Sequence, residues 1–171
     1  QETMEIYAPL ADRMGMNRIR DELEDLSFKT LNPKARDLVV QRVSLNKIDR
    51  SKTFNEISLK FSKILDDNNV KSKIIGREKT PFSIWRKMQN KRVSLEQLTD
   101  IIGFRIIVDS VENCYKVLGI FHSKWSGIPG KFKDYISTPK INNYKSIHTA
   151  IIGPKRERVE IQIRTQKMHD F

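Results

Sequence analysis

The sequence predicts a layered α/β or α+β domain with a mixed sheet, preceded by a helical segment, and three observations carry that prediction. From residue 70 onward, strand-like and helix-like stretches follow one another in the order βαβα and then ββ, which sets a sheet against helices. Ile101–Asp109 is apolar on both faces, as suits a strand in the middle of a sheet. Val159–Thr165 alternates: Val159, Ile161 and Ile163 point one way and Glu160, Gln162 and Arg164 the other, the period of a strand with one buried face. Its polar side lines up an acid, an amide and a guanidinium in steps of about 7 Å, two residues of strand rise. A carboxylate can hold a metal or take a proton, and an Arg binds phosphate in a fixed geometry. For the heptapeptide alone, a solvated strand face is the plainer reading.

Composition narrows the partners. The 171 residues suffice for one good-sized domain, or a domain with an appendage. Lys and Arg number 32 against 21 Asp and Glu, a formal charge of +11, which predicts an anionic partner: nucleic acid, nucleotide phosphates or an acidic membrane surface. The single cysteine, Cys114, excludes a disulfide framework and a Cys-rich zinc site, and its amphipathic setting predicts a small buried side chain. No apolar run approaches a membrane span and no signal-peptide pattern opens the chain. The chain starts inside a helical pattern and stops on Asp170-Phe171 without a helix stop signal, so we expect a piece of a longer cytoplasmic protein.

Taken in order, residues 2–30 predict two helices. Glu2–Arg13 carries Met4, Tyr7, Ala8 and Ala11 on one side and breaks at Gly15. Asn17–Thr30 sets Ile19, Leu23, Leu26 and Leu31 at helical spacing, with Asn17 as N-cap and Asn32-Pro33 as terminator. A charged helical region from Lys34 to Asp67 is expected to break near Asn46–Lys52, and Phe54, Ile57, Phe61 and Ile64 form its clearest stripe. No His-Asp pair and no Gly-rich loop occurs in these first 70 residues, which read as scaffold. A strand is predicted at Val70–Ile75, then a helix opened by Thr80 as N-cap and Pro81 at its first position, running Phe82–Lys91. A short helix at Leu95–Thr99, the strand Ile101–Asp109 and an amphipathic helix Val111–Trp125 follow. Gly127–Asn143 reads as loop, Ser146–Ile152 as strand, Gly153-Pro154 as turn and Arg158–Thr165 as the last strand.

Three constellations can carry chemistry. Ser83 and Lys87 share a helix face, and Ser83 lies in a first turn whose free N–H groups favour an anion, with Arg77 and Lys79 on the approach. Such a set would hold a polyphosphate without being a P-loop, since the GxxxxGK[ST] spacing is absent; a solvated basic helix is the alternative. Asp100 and Glu160 are two carboxylates at or in predicted strands, and oxygen ligands with room for water and phosphate suit Mg²⁺ if those strands are neighbours. Otherwise they are two unrelated surface acids. Lys131 to His148 interleaves lysines with Phe132, Tyr135, Tyr144 and amides, offering phosphate contacts and rings for a base, as a nucleotide pocket or a single-stranded RNA surface would. A lone histidine such as His148 is more often a satisfied strand residue.

Six separated motifs resemble, in the right order, the synthetase domain of RelA/SpoT homologue enzymes. They are Gly76-Arg77-x-Lys79, Ser83-Ile84-Trp85-Arg86-Lys87-Met88, Asp100-Ile101-Ile102-Gly103-Phe104-Arg105, Phe132-Lys133-Asp134-Tyr135-Ile136, Pro139-Lys140 with Tyr144-x-Ser146-Ile147-His148-Thr149, and Glu160-Ile161-Gln162-Ile163-Arg164-Thr165. The resemblance covers residues 70–171; residues 1–69 resemble the end of the family's hydrolase domain and its linker helices, without the His-Asp hydrolase motif. It implies a nucleotidyltransferase-like α+β fold, a mixed five-stranded sheet flanked by helices. It implies a pyrophosphokinase of the stringent response, moving the β,γ-diphosphate of ATP to the 3′-hydroxyl of GDP or GTP. By position, Arg77 and Arg105 would sandwich adenine, and Lys79, Ser83 and Lys87 would hold the ATP phosphates. Asp100 and Glu160 would bind Mg²⁺, or Mn²⁺ in its place, with Glu160 or Gln162 near the attacking hydroxyl. Tyr144 would stack on guanine, while Lys133, Lys140, Asn142 and His148 would line the GDP/GTP pocket. Arg164 would support the site.

The departures from the family pattern are local. Glu78 stands where Pro is usual and Phe82 where Tyr is; Glu78 sets an anion between two cations and is expected to weaken ATP binding. Lys131 replaces an Arg, Lys145 a Gln, and Asn143 the common Gly, though Asn tolerates φ > 0. A degenerate guanine-nucleotide sensor is the second reading. An RNA-binding module is a third, against which the paired carboxylates argue. No membrane partner is expected, and the sequence sets no oligomeric state.

Overall fold

Alternation in the last predicted strand decides where the sheet's centre lies, because its apolar side must be covered and its polar side need not be. A computed structural model of the protein describes residues 1–45, 47–99 and 101–171 and resolves into two compact units. One comprises Gln1–Ile48 and Glu78–Asp100, the other Asp49–Arg77 and Ile101–Phe171. This division by packing does not follow the sequence boundary expected at residue 70. The helix Pro81–Lys91 buries its apolar face among the N-terminal helices, so it leaves the sheet unit.

The sheet unit contains five strands: β1 (Ser72–Gly76), β2 (Ile102–Val108), β3 (Lys133–Asp134), β4 (Ile147–Ile152) and β5 (Arg158–Thr165). Their order is β1-β2-β5-β4-β3, with β2 and β5 parallel and the other neighbours antiparallel, the mixed five-stranded sheet that the family resemblance implies. β5 is central. Val159, Ile161 and Ile163 are buried together with Phe104, Ile106, Ile147 and Ile151. Against that face lie Ile57, Phe61 and Leu65 of the helix Lys47–Asp67 and Cys114, Val117 and Phe121 of the helix Val111–Lys124. Phe61 is the hub, with ring centroids 5.3 Å from Phe104, 4.7 Å from Phe121 and 5.3 Å from Trp125. Cys114 is fully buried, and burial pushes its thiol up to about 11, as fits a small core side chain.

The helical unit holds Ala8–Arg13, Asn17–Leu31, Pro33–Leu45, Pro81–Lys91 and Leu95–Thr99. Phe28 packs on Phe82 and Trp85 at 5.6 and 5.3 Å, and Val39, Ile84 and Leu95 form a second buried cluster. Thr80 caps the helix Pro81–Lys91, its hydroxyl oxygen accepting from the Ser83 N–H at 3.2 Å, as predicted. Thr80→Ala should therefore lower the stability of this unit by about 1 kcal/mol, read as a lower urea midpoint; an unchanged midpoint would show that the cap contributes nothing.

Several local expectations need correcting. Asn17 does not cap its helix: it is the first helical residue, and Met16 in the cap position makes no side-chain bond. Residues 47–52 are helical rather than part of a break, and Asn46 lies outside the described residues. Leu65 replaces Ile64 in the buried stripe. Val70 belongs to a helix end rather than to β1: Asn69 takes a positive φ of 58° and the Val70 N–H reaches the Leu65 carbonyl at 2.9 Å, a Schellman-type closure. Inside the segment expected to be loop lies β3, two residues long, too short to show alternation. The helix Gln166–Asp170 follows β5, with Thr165 accepting from the Met168 N–H at 3.3 Å. Among the described residues, no helix is long and apolar enough to cross a membrane.

Candidate active site

Strand register assembles the polar face of the sheet in rows. Ile75 lies opposite Arg105, Arg105 opposite Gln162, Gln162 opposite His148, and His148 opposite Lys133. One row thus carries three predicted site residues on adjacent strands and a fourth on the edge. In the neighbouring row, Glu160 lies between Gly103 of β2 and Ala150 of β4. Arg77, one residue past β1, continues this row: its N–H donates to the Gly103 carbonyl at 2.9 Å. A Cβ at Gly103 would stand 3.2 Å from the Arg77 Cβ, so glycine lets Arg77 close on this face. The Arg77 guanidinium then reaches the Glu160 carboxylate at 3.5 Å, both side chains roughly a quarter exposed (29% and 25%).

A second group of contacts ties this face to the 133–148 segment. Arg164, 5% exposed, donates one Nη2 to the Tyr144 hydroxyl oxygen and to Gln162 Oε1, each at 2.6 Å. Arg105 Nε donates to the same Gln162 Oε1 at 3.1 Å. The Tyr144 hydroxyl, its oxygen accepting from Arg164, also shares a hydrogen bond with His148 Nε2 at 2.8 Å. Tyr144 meets His148 edge-on at 5.6 Å, and Lys140 Nζ stands over its ring at 5.1 Å. Asn143 adopts a φ of 63°, the left-handed turn that Asn was expected to tolerate, and Asn142 Oδ1 accepts from the Tyr144 N–H at 3.1 Å.

This face is electropositive. Arg77, Arg105, Arg164 and Lys140 surround His148, which burial first and these four cations next hold down to about 4, below its ordinary 6.5. Burial also lowers Arg164, with Arg105 and Arg77 adding to the effect. The sign for stability follows. Between pH 6.5 and about 4 the unfolded chain takes up a proton on His148 that the folded chain refuses, so stability present above 6.5 is lost as the pH falls through this window. The loss is at most about 3 kcal/mol. His148→Gln should make the decline of Tm between pH 6.5 and 4 shallower than in the parent chain; parallel profiles would remove His148 from the acid response.

The predicted residues therefore divide. The sheet unit brings together Arg77, Arg105, Glu160, Gln162, His148, Tyr144 and Lys140, with exposed Lys133 at the edge of one row. Lys79, Ser83 and Lys87 lie in the helical unit, where Lys79 Nζ donates to the Leu98 carbonyl at 2.9 Å. Asp100 lies outside the described residues. Among the described residues no group of three or more His, Cys, Asp or Glu could hold a metal ion. Tyr135, named from the sequence among the rings of the 131–148 stretch but given no role of its own, stands 6.1 Å from Tyr144 and 5.2 Å from His148, with Lys140 Nζ 4.8 Å over its ring. One residue was missed by sequence reasoning. Tyr115 donates to Asp134 Oδ2 at 2.8 Å, tethering the 134–137 turn, and no sequence signal pointed to it.

Known proteins resemble the chain in sequence and fold. A family model described as a region found in RelA / SpoT proteins matches residues 76–171. The GTP pyrophosphokinase rsh of Brucella melitensis is 50% identical over all 171 residues, which span 23% of its length. The small alarmone synthetase 2 of Bacillus subtilis is 30% identical with a TM-score of 0.57, covering 72% of each chain. The small alarmone synthetase 1 of the same organism is 25% identical with a TM-score of 0.58, covering 72% of this chain and 71% of its own. A family match over more than half of the residues, on a sheet of this order, settles the kinship: the chain belongs to the RelA/SpoT family.

Proposed function

We propose that the chain carries the synthetase part of a RelA/SpoT enzyme, a cytoplasmic GTP pyrophosphokinase that makes (p)ppGpp from ATP and GDP or GTP. In this reading residues 70–171 are the catalytic part and residues 1–69 the helical segment leading into it. The observation that carries it is the polar sheet face, where the Glu160 carboxylate meets Arg77 and the adjoining row sets Gln162 between Arg105 and Arg164. Transfer between two polyanionic nucleotides requires charge neutralisation and alignment more than a special nucleophile.

The residues then take these roles. Glu160 accepts the proton of the acceptor's 3′-hydroxyl. That oxygen forms a bond to the β-phosphorus of ATP, the bond from this phosphorus to the α,β-bridging oxygen breaks, and the electron pair leaves with AMP. Arg77 and Arg105 flank adenine, since a planar guanidinium can lie against a purine ring. Lys79, Ser83 and Lys87 bind the ATP phosphates. Tyr144 stacks on guanine, sharing or displacing the Lys140 ammonium over its ring, and Lys133, Lys140, Asn142 and His148 complete the pocket. The donor chemistry fits Mg²⁺ or Mn²⁺: Glu160 is an oxygen ligand held only loosely by Arg77, and Mg²⁺ needs one or two carboxylates beside substrate phosphates. Glu160 and Asp100 would hold the ion, which supplies neutralisation of phosphate charge.

Incubation with ATP, GDP and Mg²⁺ should yield AMP and ppGpp in equal amounts. Protection by GDP against thermal unfolding with neither product would leave a nucleotide sensor instead. Binding to single-stranded RNA without nucleotide protection would favour the RNA module.

A further inference from the structure

Asp134 engages both of its carboxylate oxygens, in two directions. Oδ1 accepts from the Ile136 N–H at 2.9 Å and the Ser137 N–H at 3.0 Å, closing the turn that follows β3. Oδ2 accepts from the hydroxyl of Tyr115, a residue of the helix Val111–Lys124. Register puts this tether on the sheet face opposite the candidate site. Asp134 lies opposite Ile147, which is buried in the same core as Val117 and Phe121, whereas Lys133 lies opposite His148. Tyr135 comes next, and its ring stands on the polar side against His148 and Tyr144, with the Lys140 ammonium over it. A strand of two residues fixes little through its own ladder. The Asp134 carboxylate adds three bonds at the point where the chain turns from Lys133 to Tyr135. Burial would raise this carboxyl, yet its bonds to Ser137, Tyr115 and Ile136 hold it below the ordinary range, so it stays charged and accepting.

From this geometry we infer that Tyr115 and Asp134 are positioning residues, which act from the apolar side of the sheet to set Lys133, Tyr135 and Lys140 in the arrangement that receives the guanine nucleotide. The inference rests on the proposed function only for the identity of that nucleotide. Neither side chain meets the ligand. Without the Tyr115 hydroxyl, Asp134 Oδ2 turns to water and the carboxylate is free to leave the turn amides. The segment then spends less of its time in the competent arrangement, and apparent affinity falls by that fraction. Tyr115 is 38% exposed, so water replaces part of what the hydroxyl supplies and the loss is moderate. Bound nucleotide restores the arrangement, so the deficit falls on KM and not on kcat.

Tyr115→Phe keeps the ring and removes only the hydroxyl. GDP is titrated against the parent 171-residue chain, Tyr115→Phe, Asp134→Asn and the double variant, and turnover is measured with ATP and Mg²⁺. Tyr115→Phe should weaken GDP binding by about fivefold and raise the KM for GDP by the same factor, with kcat within about twofold of the parent. Asp134→Asn keeps an oxygen for the turn but gives up the charge, and should also weaken GDP binding. In that background Tyr115→Phe should cost less than about twofold more, because both changes cut one tether. Unchanged GDP binding in Tyr115→Phe, full additivity in the double variant, or a fall in kcat with KM unmoved would overturn the inference. Were the binding cycle to behave as expected while the parent formed no AMP, the pyrophosphokinase reading would fall and the tether would stand. A parent that bound no GDP would overturn both.

Discussion

With Glu160 in the proposed roles of general base and metal ligand, Glu160→Gln is expected to lower the rate of AMP and ppGpp formation by at least about 10³-fold. The substitution keeps size and shape and removes the charge proposed to accept the proton. Stability should hardly move. Among the described residues Glu160 pairs with Arg77 alone, at 3.5 Å and with both side chains partly exposed, the sort of contact that contributes about 1 kcal/mol or less. Binding of GDP should stay within about threefold of the parent, because the proposed guanine pocket uses the 133–148 segment and not Glu160. Turnover close to that of the parent would remove Glu160 from the mechanism. A collapse in Tm would mean instead that the Arg77 pair holds the sheet edge together.

Phe61→Ala should be the most destabilising single truncation in the sheet unit, by about 3–5 kcal/mol. Phe61 is fully buried and touches three rings that come from β2, the helix Val111–Lys124 and the residue just past it. Phe104 is itself stacked on Phe54 at 4.6 Å, so the void cannot be filled by a small shift of one neighbour. For a unit of this size the loss corresponds to a fall in Tm of about 10 °C or more. Phe61→Leu should recover most of it, since it restores much of the volume. A fall of a degree or two for the alanine variant would show that the aromatic cluster relaxes into the space.

The two experiments probe opposite faces of one sheet, and those faces differ in how readily the sequence reveals them. The apolar face is legible because burial imposes a pattern on single strands and helices: Val159, Ile161 and Ile163 alternate, and Phe54, Ile57 and Phe61 repeat at helical spacing. The short strand Lys133–Asp134 was not, because two residues hold no period. Nor was the grouping of the helix Pro81–Lys91 with the N-terminal helices, which depends on Phe28 meeting Phe82 and Trp85 across more than 50 residues of chain.

By itself the sequence determined that a basic chain carries an alternating strand bearing Glu160, Gln162 and Arg164, and its six motifs supplied the kinship; the expectation that only one face is buried does not hold, since Gln162 and Arg164 are buried too. It could not say what those three side chains face. Only the tertiary structure decided that Glu160 meets Arg77, that Gln162 is clasped by Arg105 and Arg164, and that the Tyr144 hydroxyl pairs with His148. The physical reason is register: side-chain alternation is written within a strand, whereas the partner across each row is set by how strands far apart in sequence are pulled into alignment by the core beneath them.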